Sequence, residues 1–123
     1  MSPAEDARLL LAIVRRHLRS LRFGLDPAYP EEDWGFTAKQ ALEKLLKAWI
    51  VLSDRQPPGL HDLADLALLA GQHLQAMLLD LQVFAVEARY EAGPFPLPAE
   101  RQELLAQLEA ELERCERAVD GMG

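Results

Sequence analysis

Residues 36–66, FTAKQALEKLLKAWIVLSDRQPPGLHDLADL, decide how the chain folds: a long apolar run carrying three lysines is cut off by Pro-Pro-Gly and restarts at His61-Asp62. On a helical wheel of about 100° per residue, Trp34, Ala38, Ala41, Leu42, Leu45, Leu46, Trp49, Ile50 and Leu52 cover nearly half the circumference. One neighbour does not need so wide a face, so this helix is central in its bundle or shares part of its face with another subunit. Gln40, Glu43, Lys44 and Lys47 fall on the opposite arc with Lys39 at its border, and Glu43 precedes Lys47 in the favoured i,i+4 order. This arc reads as the solvated side of a core helix, with lysine stems lying along apolar surface.

Outward from that helix, the punctuation of the chain marks the other elements. Ser2-Pro3-Ala4-Glu5 is a capping box with proline at the first helical position, and Ala7, Leu10, Leu11, Val14, Leu18 and Leu21 give helix one a core face over residues 3 to 22. Gly24, Pro27 and Pro30 make residues 23 to 30 a loop. The acidic run Glu31-Glu32-Asp33 suits the positive end of helix two, which continues to Ser53. After the Pro57-Pro58-Gly59 turn, a short helix is predicted over 61–70 and ended by Gly71. A fourth, with Leu74, Met77, Leu78, Leu81, Phe84 and Ala85 inward, is predicted to reach Tyr90. Gly93, Pro94, Pro96 and Pro98 break the chain again before a last helix over 99–119, with Leu105, Leu108, Leu112, Cys115 and Val119 on its stripe.

The 123 residues fit one domain spanning 1–123; half are hydrophobic, leucine and alanine dominate, and the fold class is all-α, an antiparallel bundle of about five helices. No run reaches the roughly 18 apolar residues of a membrane span, and acids stand where a secretion signal would be basic and then apolar. A soluble cytoplasmic protein, away from the membrane, is the expectation. A formal charge of −7 argues against nonspecific nucleic-acid binding over the whole surface while leaving room for a local basic patch. The lone Cys115 excludes an intrachain disulfide and multi-cysteine zinc, and reads as a buried thiol.

Several constellations bear on chemistry. Arg8, Arg15, Arg19 and Arg22 form a ridge beside the apolar face of helix one that suits phosphates, yet Glu109, Glu113, Glu116 and Asp120 form a matching acidic ridge on the last helix. If those helices are neighbours, the arginines are structural, and that reading is favoured. His61-Asp62 invites comparison with metal phosphohydrolases, but nothing in the spacing of His17 or Asp80 demands a shared metal site, and Asp62 in a first helical turn complements the dipole. No metal site and no cofactor are assigned. Ser2, Ser20 and Ser53 lie in no Gly-x-Ser-x-Gly elbow, and no glycine-rich phosphate loop is present, so a nucleotide must be held by side chains and helix ends.

The order Gln40-Ala41-Leu42-Glu43-Lys44-Leu45-Leu46-Lys47-Ala48, Pro57-Pro58, His61-Asp62-Leu63 with Leu66, then Glu87-Ala88-Arg89-Tyr90, resembles the HEPN family (higher eukaryotes and prokaryotes nucleotide-binding domain) over residues 34 to 90. The resemblance implies a helical homodimer, often paired with a minimal nucleotidyltransferase that serves as antitoxin. It also implies, for the toxin members, a metal-independent ribonuclease in which an arginine and a histidine four to six residues later meet across the dimer. Here the only such pair is Arg55 and His61; Pro-Pro-Gly between them prevents a shared helical face, and Leu63 follows where a tyrosine can stand in the toxins. The expectation is therefore a dimeric binding module for nucleotide or RNA, working with a nucleotidyltransferase-like protein and lacking the catalytic pair. Its ligand cleft is expected near Lys44, Lys47, Arg55, His61, Arg89 and Tyr90. The alternatives are a ribonuclease toxin using Arg55 and His61, and a ligand-free assembly protein.

Overall fold

Helix α1 (Pro3–Phe23) starts on the capping box that its sequence predicts. Ser2 Oγ accepts from the Glu5 N–H at 3.2 Å, and Glu5 Oε1 accepts from the Ser2 N–H at 3.3 Å. The computed structural model describes residues 2–85 and 95–122, and among them every regular element is helical. Helix α2 (Glu31–Leu52) is the spine: Trp34, Ala38, Ala41, Leu42, Leu45, Leu46, Ala48 and Ile50 are all buried. It returns antiparallel to α1, as the bond from Trp34 Nε1 to Leu21 O shows by joining the start of one helix to the end of the other at 3.0 Å. That bond lets a full indole enter the core with its N–H satisfied. The turn between the helices passes close beneath the ring, since a Cβ on Gly24 would stand 2.7 Å from Trp34 Cδ1.

Helix α3 (Leu63–Ala70) begins two residues later than its sequence suggests, because Asp62 stands outside it as the cap. Asp62 Oδ1 accepts from the Asp65 N–H at 3.0 Å, and Gly71, at φ 67°, closes the other end in the left-handed conformation that glycine adopts without steric cost. The predicted fourth helix is not continuous. Helix α4 (Ala76–Leu79) is one turn and passes into a 3₁₀ turn (Asp80–Phe84), which stops where Ala85 becomes extended at ψ 167°. Packing explains the tightening. Side chains three apart in a 3₁₀ turn point the same way, so Leu81 and Phe84 both bury. Phe84 packs against the spine at Gly35, where a Cβ would come within 2.5 Å of the ring, and meets Phe36 edge-on at 6.1 Å and 77°. The remainder of the predicted helix, 86–90, lies outside the described residues.

Helix α5 (Arg101–Gly121) packs along α1 in the opposite sense, since Arg22 reaches Glu109 at 3.0 Å and Arg15 reaches Glu116 at 2.6 Å. Arg15 and Arg22 thus bind helix to helix, the structural role favoured for the ridge, through Glu116 and Glu109. At its start, Arg101 donates to three carbonyl oxygens of the α1–α2 turn: Gly24 O at 2.6 Å, Asp26 O at 3.0 Å and Tyr29 O at 2.6 Å. Cys115 is buried on the inner stripe, and burial foremost pushes its thiol up to about 12, so it packs as a small hydrophobe. No described helix is long and apolar enough to cross a membrane.

Candidate functional site

Lys39 and Glu43 overturn the reading of α2 as a helix with one solvated arc. Both are buried, at 1% and 2% exposure, and they bond each other at 2.7 Å between Nζ and Oε1. The physical reason is the segment after α2: the Pro57–Pro58–Gly59 turn folds back so that residues 59–62 lie over this edge of the spine. Lys39 Nζ also donates to His61 O at 3.0 Å, which fastens that segment to α2 through its backbone.

Glu43 gathers the rest. Its Oε2 accepts from Lys47 Nζ at 3.0 Å and lies 2.8 Å from His61 Nδ1. Burial by itself pushes this carboxyl up, but hydrogen bonds from Lys39, His61 and Lys47, with the Lys39 charge beside them, hold it at about 2. The carboxylate is therefore ionised throughout the neutral range. Such a charge is tolerated in the interior because both its oxygens are engaged.

An open cleft of about 550 Å³ lies over this network, lined by Lys39, Gln40, Glu43 and Lys44 of α2, by Gly59 to Asp62, by Gln82 of the 3₁₀ turn and by Ala85 just after it. Gln82 Oε1 accepts from the Leu63 N–H at 2.8 Å and so connects the 3₁₀ turn to the start of α3. Lys44 lies beside half-buried His17 of α1, whose imidazole is held below its usual range by burial first and then by Arg16 and Lys44. Around the cleft, among the described residues, Lys39, Lys44 and Lys47 outnumber Glu43 and Asp62 by one positive charge. Its chemistry is that of a shallow cationic surface with amide groups and one imidazole.

Of the residues expected at a ligand cleft, Lys44 and His61 line this one, and Lys47 stands behind it on Glu43. Arg55 goes elsewhere: its guanidinium donates to Leu69 O at 3.0 Å, at the closing end of α3, whereas His61 precedes the opening end. Arg89 and Tyr90 lie outside the described residues. Asp62 is turned into the α3 cap, and among the described residues no three His, Cys, Asp or Glu side chains converge. Sequence reading missed Lys39 and Glu43 as partners of His61. A signal was present, since Lys39 shares its stripe with Leu42, Leu46 and Ile50 at spacings of three, seven and eleven, an apolar lane on which charged side chains need a partner.

A family model described as HEPN domain matches residues 29–120. No curated protein and no solved structure matches the chain.

Proposed function

The chain belongs to the HEPN family, nucleotide- or RNA-related helical modules that commonly dimerise, and we propose that it is a dimeric binding module for a nucleotide or RNA. In this reading it works beside a nucleotidyltransferase-like protein in a toxin–antitoxin setting and does not cleave RNA through an Arg–His pair. The observation that carries the ligand part is the cleft at His61, where Lys44 offers a cation at the surface while the buried carboxylate below is already compensated. Among the described residues Lys44 has no hydrogen-bond or ion-pair partner, so phosphate meeting it gains a charge-assisted bond without first breaking one there.

Isothermal titration at low salt with ATP, GTP and a short single-stranded RNA tests it. Binding that weakens with salt, and about three- to tenfold in Lys44→Ala, supports the reading. Absence of heat with all three ligands removes it. Co-purification with a nucleotidyltransferase from the neighbouring reading frame tests the partner.

Arg55 bears on the ribonuclease alternative. Its carbonyl partner and the start of α3 are separated by six residues of helix, roughly 9 Å along the axis, so within one chain its guanidinium is held at the end of α3 opposite the one that His61 precedes. RNA cleavage without added metal, abolished by both Arg55→Ala and His61→Ala, would restore that alternative.

A further inference from the structure

His61 is gripped on one side and open on the other. Its Nδ1 faces Glu43 Oε2 at 2.8 Å and its backbone oxygen takes Lys39 Nζ at 3.0 Å, yet the side chain remains 70% exposed at the cleft. An ionised carboxylate only accepts, so the ring nitrogen facing it carries a proton. Lys39 and Lys47 set two positive charges against the single negative charge of Glu43. A neutral imidazole held this way turns the lone pair of Nε2 outward.

We propose that Glu43 is a positioning residue that fixes His61 in its Nδ1–H tautomer, so that Nε2 accepts a hydrogen bond from a hydroxyl or amine of a bound nucleotide. Phosphate is then the share of Lys44, and His61 reads the nucleoside. This assignment rests on the cleft being a nucleotide site. It predicts a ligand that carries a donor a short distance from its anionic group, which inorganic phosphate lacks.

Nitrogen-15 NMR of the full chain gives the tautomer, and titration gives the consequence. In the wild type, Nδ1 of His61 is expected to be protonated and Nε2 to show the shift of an unprotonated ring nitrogen. In Glu43→Gln the ring moves toward the Nε2–H form that a free side chain favours. His61→Asn separates binding from folding, because its amide can still donate to Glu43 while nothing occupies the Nε2 position. It is expected to unfold at the wild-type denaturant midpoint and to bind ATP about three- to tenfold more weakly. The 2′-deoxy and 3′-deoxy analogues and inosine triphosphate identify the donor, since the one lacking it binds the wild type as weakly as ATP binds His61→Asn. A proton on Nε2 in the wild type overturns the proposal, as does His61→Asn binding ATP at full strength. If no nucleotide binds the wild type, the reading of the cleft fails, and the NMR result alone decides whether Glu43 sets the tautomer.

Discussion

Neutralising Glu43 should cost more stability at pH 7 than in acid, by an amount that follows from its surroundings. The carboxyl is held at about 2 against an ordinary 4.5, a depression worth about 3 kcal/mol at roughly 1.36 kcal/mol per tenfold in proton affinity. The folded value is the lower one, so the contribution is present in full above about pH 5 and is lost as pH falls toward 2. Glu43→Gln keeps the shape but leaves Lys39, itself only 1% exposed, beside a neutral amide. Urea denaturation should therefore find the variant about 3 kcal/mol less stable at pH 7. The gap should close by up to about 1.4 kcal/mol per pH unit below pH 4.5, as the wild-type carboxyl takes up its proton.

A second arm separates the pair from its members. Lys39→Met removes the cation that touches both Glu43 Oε1 and His61 O, and should cost about 3 kcal/mol because it leaves Oε1 of a buried carboxylate unpaired, with only Lys47 and His61 remaining at Oε2. Adding Glu43→Leu removes the half-paired charge, so the double variant should be more stable than either single one. Lys47 is not trapped by this, because its ammonium lies nearer the surface than Lys39. A pH-independent gap, or single costs that simply add, would refute the claim that these groups act as one buried network.

Other substitutions test the supports of the site. Gly35→Ala drives a Cβ into the Phe84 ring and should cost about 1–3 kcal/mol in urea denaturation, with Phe84→Leu in the same background recovering part of it. Arg101→Ala orphans the carbonyl oxygens of Gly24, Asp26 and Tyr29 and should cost about 2–3 kcal/mol, while Arg101→Lys restores little because an ammonium does not reproduce the planar fork. Arg22→Ala breaks an ion pair that is about half exposed and should cost at most about 1 kcal/mol, an effect that disappears in 1 M salt. Asp54, the non-glycine residue at φ 59°, should tolerate Asp54→Gly with a gain of about 0.5–1 kcal/mol in the same assay.

How far the fold could be read from sequence depended on whether each signal was local. The Ser2–Glu5 box and the Gly71 stop act within a few residues and stand where their chemistry places them, whereas Asp62, read as part of a first turn, stands one position outside it as the cap. The facing ridges of α1 and α5 were readable too, since a repeated charge at helical spacing names its complement. The break at Ala85 carried no proline or glycine to announce it; it follows from how Phe84 meets Gly35, a contact between segments nearly fifty residues apart. Arg101 was silent for the same reason, as its partners are backbone oxygens more than seventy residues away.

Lys39 and Glu43 show why a helical wheel misjudges a spine. The wheel records which residues share an arc, and by that measure Glu43 sits with Gln40, Lys44 and Lys47 on the polar side. What decides exposure is the next segment, and the Pro57–Pro58–Gly59 turn sends residues 59–62 back across that arc. Once it is covered, a lone lysine or a lone glutamate there would be strongly destabilising, whereas the two together, one turn apart, supply an acceptor for the lysine and a donor for the carboxylate. The lysine then has a donor left for His61 O, and the carboxylate an oxygen left for His61 Nδ1. The pair that makes the buried edge tolerable therefore also fixes the one imidazole at the cleft. Stability and site geometry share the same bonds, so a variant that loosens one should loosen the other, and His61→Asn is the substitution expected to divide them.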